Sequence, residues 1–172
     1  MNTNKKTFLL DSNTFITPFK SYYPFDFAPS FWSFLGNNIL NNNIAVLSKV
    51  YAEVAKGADD LAKWIAGLSL TVIDHRTPVI IGKYQDVLTH IQTNTSLYNS
   101  KALAEWSDNN RADAWLVAAS IANGYNLVTF ERPNSSLGTS LTSHPKIPDV
   151  AAHFGVNCVN LYEMMRDLGF KF

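Results

Sequence analysis

Short apolar runs that break off at polar residues constrain this 172-residue chain most. They lie at residues 7–11 (TFLLD), 44–47 (IAVL), 126–130 (NLVTF) and 156–160 (VNCVN). Runs this short suit strands covered on both faces, as in a parallel sheet. Residues 44–47 could equally be a lead-in to the next helix. Between the runs lie stretches with helical spacing. A helix is expected over 28–35. Ser48 can cap another, running through Val50, Tyr51, Glu53 and Val54 to a stop at Gly57. Asp59 or Asp60 restarts a helix through Leu61, Trp64 and Ile65. Pro78 opens the next, as far as Ile91, and 97–106 reads as one more. The clearest helix is 110–123, closed by Gly124. A polar loop fills 132–146, Pro148 opens a helix to about Phe154, and 161–168 forms the last. Strands alternating with helices predict an α/β fold, with a central, mainly parallel sheet flanked by helices and one domain spanning 1–172.

Composition narrows the function. Apolar residues make up 47% and charged ones 16%, the balance of a folded protein rather than a disordered one. Fourteen basic residues offset fourteen acidic ones, so nucleic acid would not be held by bulk charge alone. The single cysteine, Cys158, rules out an internal disulfide and any multi-cysteine metal framework, and is expected to be a small buried hydrophobe. The N-terminal MNTNKKTFLLDSN carries no long apolar segment, and no stretch reaches the length of a membrane span. A soluble, cytoplasmic protein with no membrane partner is the expectation. His75, His90, His144 and His153 are scattered and read as structural. The aromatic stretch 15–34 reads chiefly as core or a lid, although it could also stack unpaired bases or meet a partner.

Five acids stand out. In open α/β sheets, ligands bind beyond the carboxyl ends of the strands. Asp11 ends the first run and Glu131 ends the run at 126–130. Each has a plain alternative: an Asx-turn for Asp11, a solvated loop acid beside Arg132 for Glu131. Asp113 falls three residues after a candidate N-cap, Asn110, where an acid suits the helix dipole, yet the helix beyond it is nearly all apolar. Glu53 sits mid-helix beside Val50 and Val54, with a surface pair to Lys56 as the alternative. Asp149 follows Pro148 in a first helical turn. Two carboxylates about 4 Å apart repel by roughly 4 kcal/mol at the effective dielectric of proteins. If these acids converge, they must take up protons or bind a cation. Oxygen donors without a histidine or cysteine cluster point to Mg²⁺ or Mn²⁺, ions that orient and polarise phosphates. Arg111 and Arg132 each neighbour a candidate ligand, and either holds a substrate phosphate or pairs with an acid. No glycine-rich phosphate loop follows the first run, which argues against a generic nucleotide binder.

These residues resemble a known family. Asp11 with Ser12-Asn13, Glu53 in a mid-chain helix, and ADAWLVAASIANGYNLVTFE at 112–131 resemble the PIN domain, the fold of VapC-type toxin ribonucleases. The C-terminal KIPDVAAHFGVNCVNLYEMMRDLGFKF further resembles an uncharacterised PIN-like subfamily of bacterial proteins. The resemblance spans essentially the whole chain and rests on the order and spacing of the acids. It implies a Mg²⁺- or Mn²⁺-dependent endoribonuclease with an RNA substrate, often neutralised by an antitoxin protein, and a homodimer is compatible with it. Asp11, Glu53 and Asp113 match the three core metal-binding acids. Glu131 stands where the family usually has Asp, and Asp149 could share that role. Ser12 and Thr129, with Asn13 beside them, match positions that support the ligands by hydrogen bonds. The alternative is a PIN-like module that binds RNA or protein without catalysis.

Overall fold

The strand Phe8–Leu10 (β1) is the centre of the structure, a computed structural model that describes residues 6–171. All three of its residues are buried, the consequence of apolar side chains on both faces of the run. It pairs in parallel with Ile44–Leu47 (β2) on one side and with Asn126–Val128 (β4) on the other. The outer strands are Val72–Ile73 (β3) beside β2 and Cys158–Val159 (β5) beside β4. The order is therefore β3-β2-β1-β4-β5, with every pairing parallel. The expected α/β fold with a central parallel sheet is what the chain adopts. The chain first builds the sheet outward from β1 through β2 to β3 and then returns to add β4 and β5. This places the reversal of strand order at the carboxyl ends of β1 and β4, where α/β sheets leave a crevice.

Helices cover both faces. After β1 come Asn13–Thr17 (α1), a π-helical turn at Pro18–Tyr22, and Pro29–Leu40 (α2). Ser48–Ala55 (α3) and Asp60–Gly67 (α4) follow β2. Pro78–Thr93 (α5), Ser100–Trp106 (α6) and Asp113–Asn123 (α7) lie between β3 and β4. Ile147–His153 (α8) precedes β5, and Leu161–Asp167 (α9) follows it. α7 packs extensively against α5 and carries a nearly continuous buried run from Leu116 to Ser120. It ends at Gly124, whose φ of 69° is a left-handed conformation that a side chain would strain.

The aromatic stretch is mostly interior. Phe15, Phe31 and Trp32 are buried, Phe25 stacks on Trp32 at 4.4 Å, and Trp64 of α4 joins them edge-on at 5.0 Å from Trp32. The indole N–H of Trp32 donates to the Tyr23 carbonyl at 2.7 Å, so the polar handle of the buried ring is satisfied. Tyr22 and Phe27, at 52% and 78% exposure, are the exceptions.

Several expected boundaries move, each for a local reason. α2 runs on to Leu40 because Leu35 and Ile39 continue its buried face. Ser48 does not cap α3; Leu47 holds that position, and the Ser48 hydroxyl instead meets His75 Nδ1 at 2.6 Å. α6 starts at Ser100, not 97, because Leu97 and Asn99 bond to Thr142 and pin the 132–146 loop, while the Asn99 side chain caps the helix. β3 was invisible in the sequence, being two half-buried residues. The histidines are less scattered than their spacing suggests: the His90 and His153 rings stack at 3.7 Å. Burial and the neighbouring His153 push His90 down to about 4, so it is neutral at pH 7. Cys158 is half-buried, and burial lifts its thiol to about 11, far from reactive at neutral pH. Among the described residues no helix is long and apolar enough to cross a membrane.

Leu9 is fully buried at the middle of β1. Leu9→Ala should destabilise the protein by about 2–5 kcal/mol in urea unfolding, through lost burial and the cavity left behind. A loss below about 1 kcal/mol would show that β1 is not the packed centre.

Candidate active site

Asp11 directly follows β1 at the strand-order reversal, and its backbone N–H donates to the Val128 carbonyl at 3.0 Å. The parallel ladder thus continues one residue past the strand and fixes the carboxylate at the sheet's edge. Its side chain is 6% exposed. The Thr129 hydroxyl donates to Asp11 Oδ2 at 3.1 Å, and Thr129 Oγ1 in turn accepts the Glu131 N–H at 3.1 Å. Desolvation above all raises the Asp11 carboxyl; the Thr129 hydroxyl and the Ser12 amide lower it, the Asp113 and Glu131 charges raise it, and the net is about 6.

Ser12 is buried beside it, and its hydroxyl donates to Glu53 Oε2 at 2.6 Å. Glu53 is exposed on α3, so it looks out across the crevice rather than into the core. Asn13, exposed at the start of α1, completes that wall.

Asp113 does not close a capping box. Asp108 takes up the chain before it: its side chain accepts from the Asn110 N–H and its carbonyl accepts from the Arg111 N–H. That turn competes with the helix for these residues, so α7 begins at Asp113 itself. The Asp113 carboxylate is then held by Arg111, whose Nε and Nη2 both reach Oδ2, at 2.9 and 2.6 Å. Arg111 Nη1 reaches Glu105 Oε1 at 2.6 Å, and Glu105 also meets His144 at 2.5 Å. Burial still raises the Asp113 carboxyl, against the lowering pull of Arg111. The ion-pair reading of Arg111 is the one the structure displays.

Asp11, Ser12, Asn13, Glu53, Arg111 and Asp113 line one cavity of about 250 Å³. Three acids separated by about a hundred residues of sequence thus share one space. Glu131 and Asp149 do not line it. β4 ends at Val128, so Glu131 lies three residues beyond the strand rather than at its tip. Its carboxylate accepts from the Ile147 N–H at 2.8 Å and pairs with Lys146 at 3.2 Å. It nevertheless acts electrostatically on both Asp11 and Asp113. Asp149 accepts from the Asn134 N–H at 2.9 Å and ties down the 132–146 loop. Arg132 is exposed and, among the described residues, pairs with no acid.

The donors suit a hard divalent ion, being carboxylate oxygens with no histidine or cysteine on the cavity wall. Among the described residues, no three such side chains stand as a ready-made metal cluster. Asp113 is turned to Arg111 and Glu131 to Lys146.

Over residues 8–172 the sequence matches a family described as "Domain of unknown function (DUF4411)". The chain belongs to that family. A comparison with curated proteins returns no match for this DUF4411 chain. Among solved structures, it is similar to the crystal structure of VapBC2 from Rickettsia felis bound to a DNA fragment from their promoter. That similarity has a TM-score of 0.48 at 18% identity and covers 90% of this chain and 98% of that chain.

The raised Asp11 carboxyl sets a pH dependence. An unfolded aspartate titrates near 3.8, so between about pH 4 and 6 the folded state binds more protons than the unfolded one. The stabilisation that protonated Asp11 provides is present below about 4 and is lost as pH rises through about 6. In metal-free buffer at pH 7, Asp11→Asn should therefore stabilise the fold by on the order of 2 kcal/mol, an advantage that vanishes near pH 4. Urea titrations of both proteins at pH 4 and pH 7 check this, and a variant destabilised equally at both would contradict it.

Proposed function

We propose that the chain is a Mg²⁺- or Mn²⁺-dependent endoribonuclease that hydrolyses RNA phosphodiesters at the Asp11–Glu53–Asp113 cavity. The observation that carries this reading is the meeting of three carboxylates, from the end of β1, from α3 and from the start of α7, on one cavity at the strand-order reversal. Asp11, a buried carboxylate held by a hydroxyl rather than a cation, costs stability, and acids in such settings cluster at functional sites. The PIN resemblance of the sequence supports the same chemistry.

In this reading Asp11, Glu53 and Asp113 hold the ion. The ion would supply Lewis acidity toward the phosphate and lower the pKa of water. Thr129 keeps Asp11 oriented, and Ser12 does so for Glu53. Arg111, half-exposed on the cavity wall, would exchange Asp113 for a substrate phosphate, since a guanidinium matches either oxyanion geometry. Glu131 is the fourth, outer acid and adds negative potential without lining the cavity. The resemblance to VapC-type ribonucleases makes the toxin of a toxin–antitoxin pair the setting we propose, with an antitoxin covering the crevice. A non-catalytic RNA- or protein-binding module is the second reading. It is favoured by the Arg111 and Lys146 pairs, which already neutralise Asp113 and Glu131.

Purified protein, freed of any bound inhibitor, should cut a mixed pool of single-stranded and structured RNAs with Mg²⁺ or Mn²⁺ and not with EDTA. Asp11→Asn and Asp113→Asn should each reduce the rate by roughly 100-fold or more, because each removes several kcal/mol of charge stabilisation. Cutting that survives both substitutions would overturn the site. Folded protein that cuts nothing in either metal would favour the binding module.

A further inference from the structure

A second cleft, of about 350 Å³, opens beyond the carboxyl ends of β4 and β5. Its walls include Thr129, Glu131, Arg132, Pro133, Asn160 and Tyr162. Two of them bear on the chemistry proposed above: Thr129, whose hydroxyl is bonded to Asp11, and Glu131, the outer acid, whose carboxylate is paired with Lys146. Thr129 therefore links the two spaces: its side chain orients an acid of the first cavity, and it borders the second.

We propose that this cleft is a subsite for one unpaired nucleotide of an RNA strand, with its base stacked on Tyr162 and a phosphate paired with Arg132. The inference rests on the nuclease reading for its RNA substrate, but it concerns different residues. Tyr162 is 42% exposed near the start of α9 and lines the cleft, so part of its ring is open to a ligand there. Its hydroxyl interacts with that of Tyr23. Pro133, which is exposed, adds rigid apolar surface of the kind a base face requires. Arg132 supplies a cation that, among the described residues, no acid neutralises, and this at a chain with no net charge. The Asn160 side chain uses its oxygen to accept from the Glu163 N–H within a capping box. Its amide nitrogen is left as a donor toward a base edge.

An aromatic face and the Arg132 cation, with the Glu131 carboxylate of the same wall already paired with Lys146, favour a nucleotide over a protein segment. Base stacking tolerates any base, and the cation tracks the backbone. The cleft's size is at the lower end of small-ligand pockets, which run from roughly 300 to 1,000 Å³.

The test is fluorescence anisotropy of a labelled five-nucleotide single-stranded RNA with the full chain in EDTA, where metal-dependent cutting cannot consume the probe. Tyr162→Ala should weaken binding roughly tenfold, and Tyr162→Phe should restore it to within about twofold. Arg132→Gln should lower the slope of log affinity against log salt by about 0.7. An RNA duplex should compete poorly. Circular dichroism melts confirm that each variant is folded. Wild-type affinity in both Tyr162→Ala and Arg132→Gln, as a protein-docking cleft would give, overturns the subsite and leaves the nuclease reading standing. Absence of RNA binding by the wild type also overturns it, as does equal binding of duplex. Binding that depends on both residues, from a protein that cuts nothing in either metal, keeps the subsite and removes the nuclease.

Discussion

Burying a carboxylate at the end of the central strand is the constraint around which the rest of the site is arranged. Asp11 cannot move back into solvent, because its own N–H is bonded to Val128 and continues the β1–β4 ladder. The surroundings must therefore accommodate it. Thr129 and Ser12 contribute hydrogen bonds, which offset part of the desolvation and leave the carboxyl well above its ordinary range. Asp113 and Glu131 make matters worse by adding like charge. Their own charges are offset by Arg111 and Lys146, so the outer acids are paired while Asp11 and Glu53 are held by hydroxyls. A charge arrangement of this kind costs stability and gains a place for a cation.

The 132–146 loop, whose Arg132 and Pro133 line the second cleft, is fastened at several points. Asp149 receives the Asn134 N–H, Glu131 receives the Ile147 N–H, Leu97 and Asn99 pair with Thr142, and His144 meets Glu105. Two of these fastenings are acids that might have been spent on a metal. Glu105 links the loop to Arg111 and so to Asp113. The loop and the acid cavity are thus joined through one guanidinium. Thr129 joins the cavity to the second cleft in the same economical way, with one hydroxyl that donates to Asp11 and accepts from Glu131.

Much of this was legible in the chain. The run at 7–11 located β1 and placed Asp11 at its end, because a strand buried on both faces must be apolar until it stops. Ser12 and Thr129, singled out in the sequence as hydroxyls beside the acids, donate to Glu53 and Asp11. Glu131 and Asp113 were harder. Phe130 is apolar and extended the apparent strand, yet the ladder ends at Val128, so Glu131 lies beyond the tip. Asn110 looked like an N-cap, but Asp108 organises the preceding turn, and two such residues two apart cannot be ranked from sequence. The short β3 carries no periodic signal at all. Tyr162 and Asn160 escaped notice as site residues because a lone tyrosine and a helix cap look the same wherever the helix happens to start.

The sequence by itself determined the element types, the parallel sheet and the identity of the acids, because these depend on local periodicity, short-range caps and side-chain chemistry. It could not determine which acids share a space. Glu53, Asp113 and Asp149 all sit on or at the start of helices, and nothing local distinguishes them. The sheet order decides: β1 lies between β2 and β4, so α3 and the start of α7 face Asp11, while α8 is placed beside β5 and its acid is drawn to the loop. Which carboxylates are paired with cations is likewise a property of the packing, since Arg111 reaches Asp113 and Glu105 together only once α6 and α7 are in position.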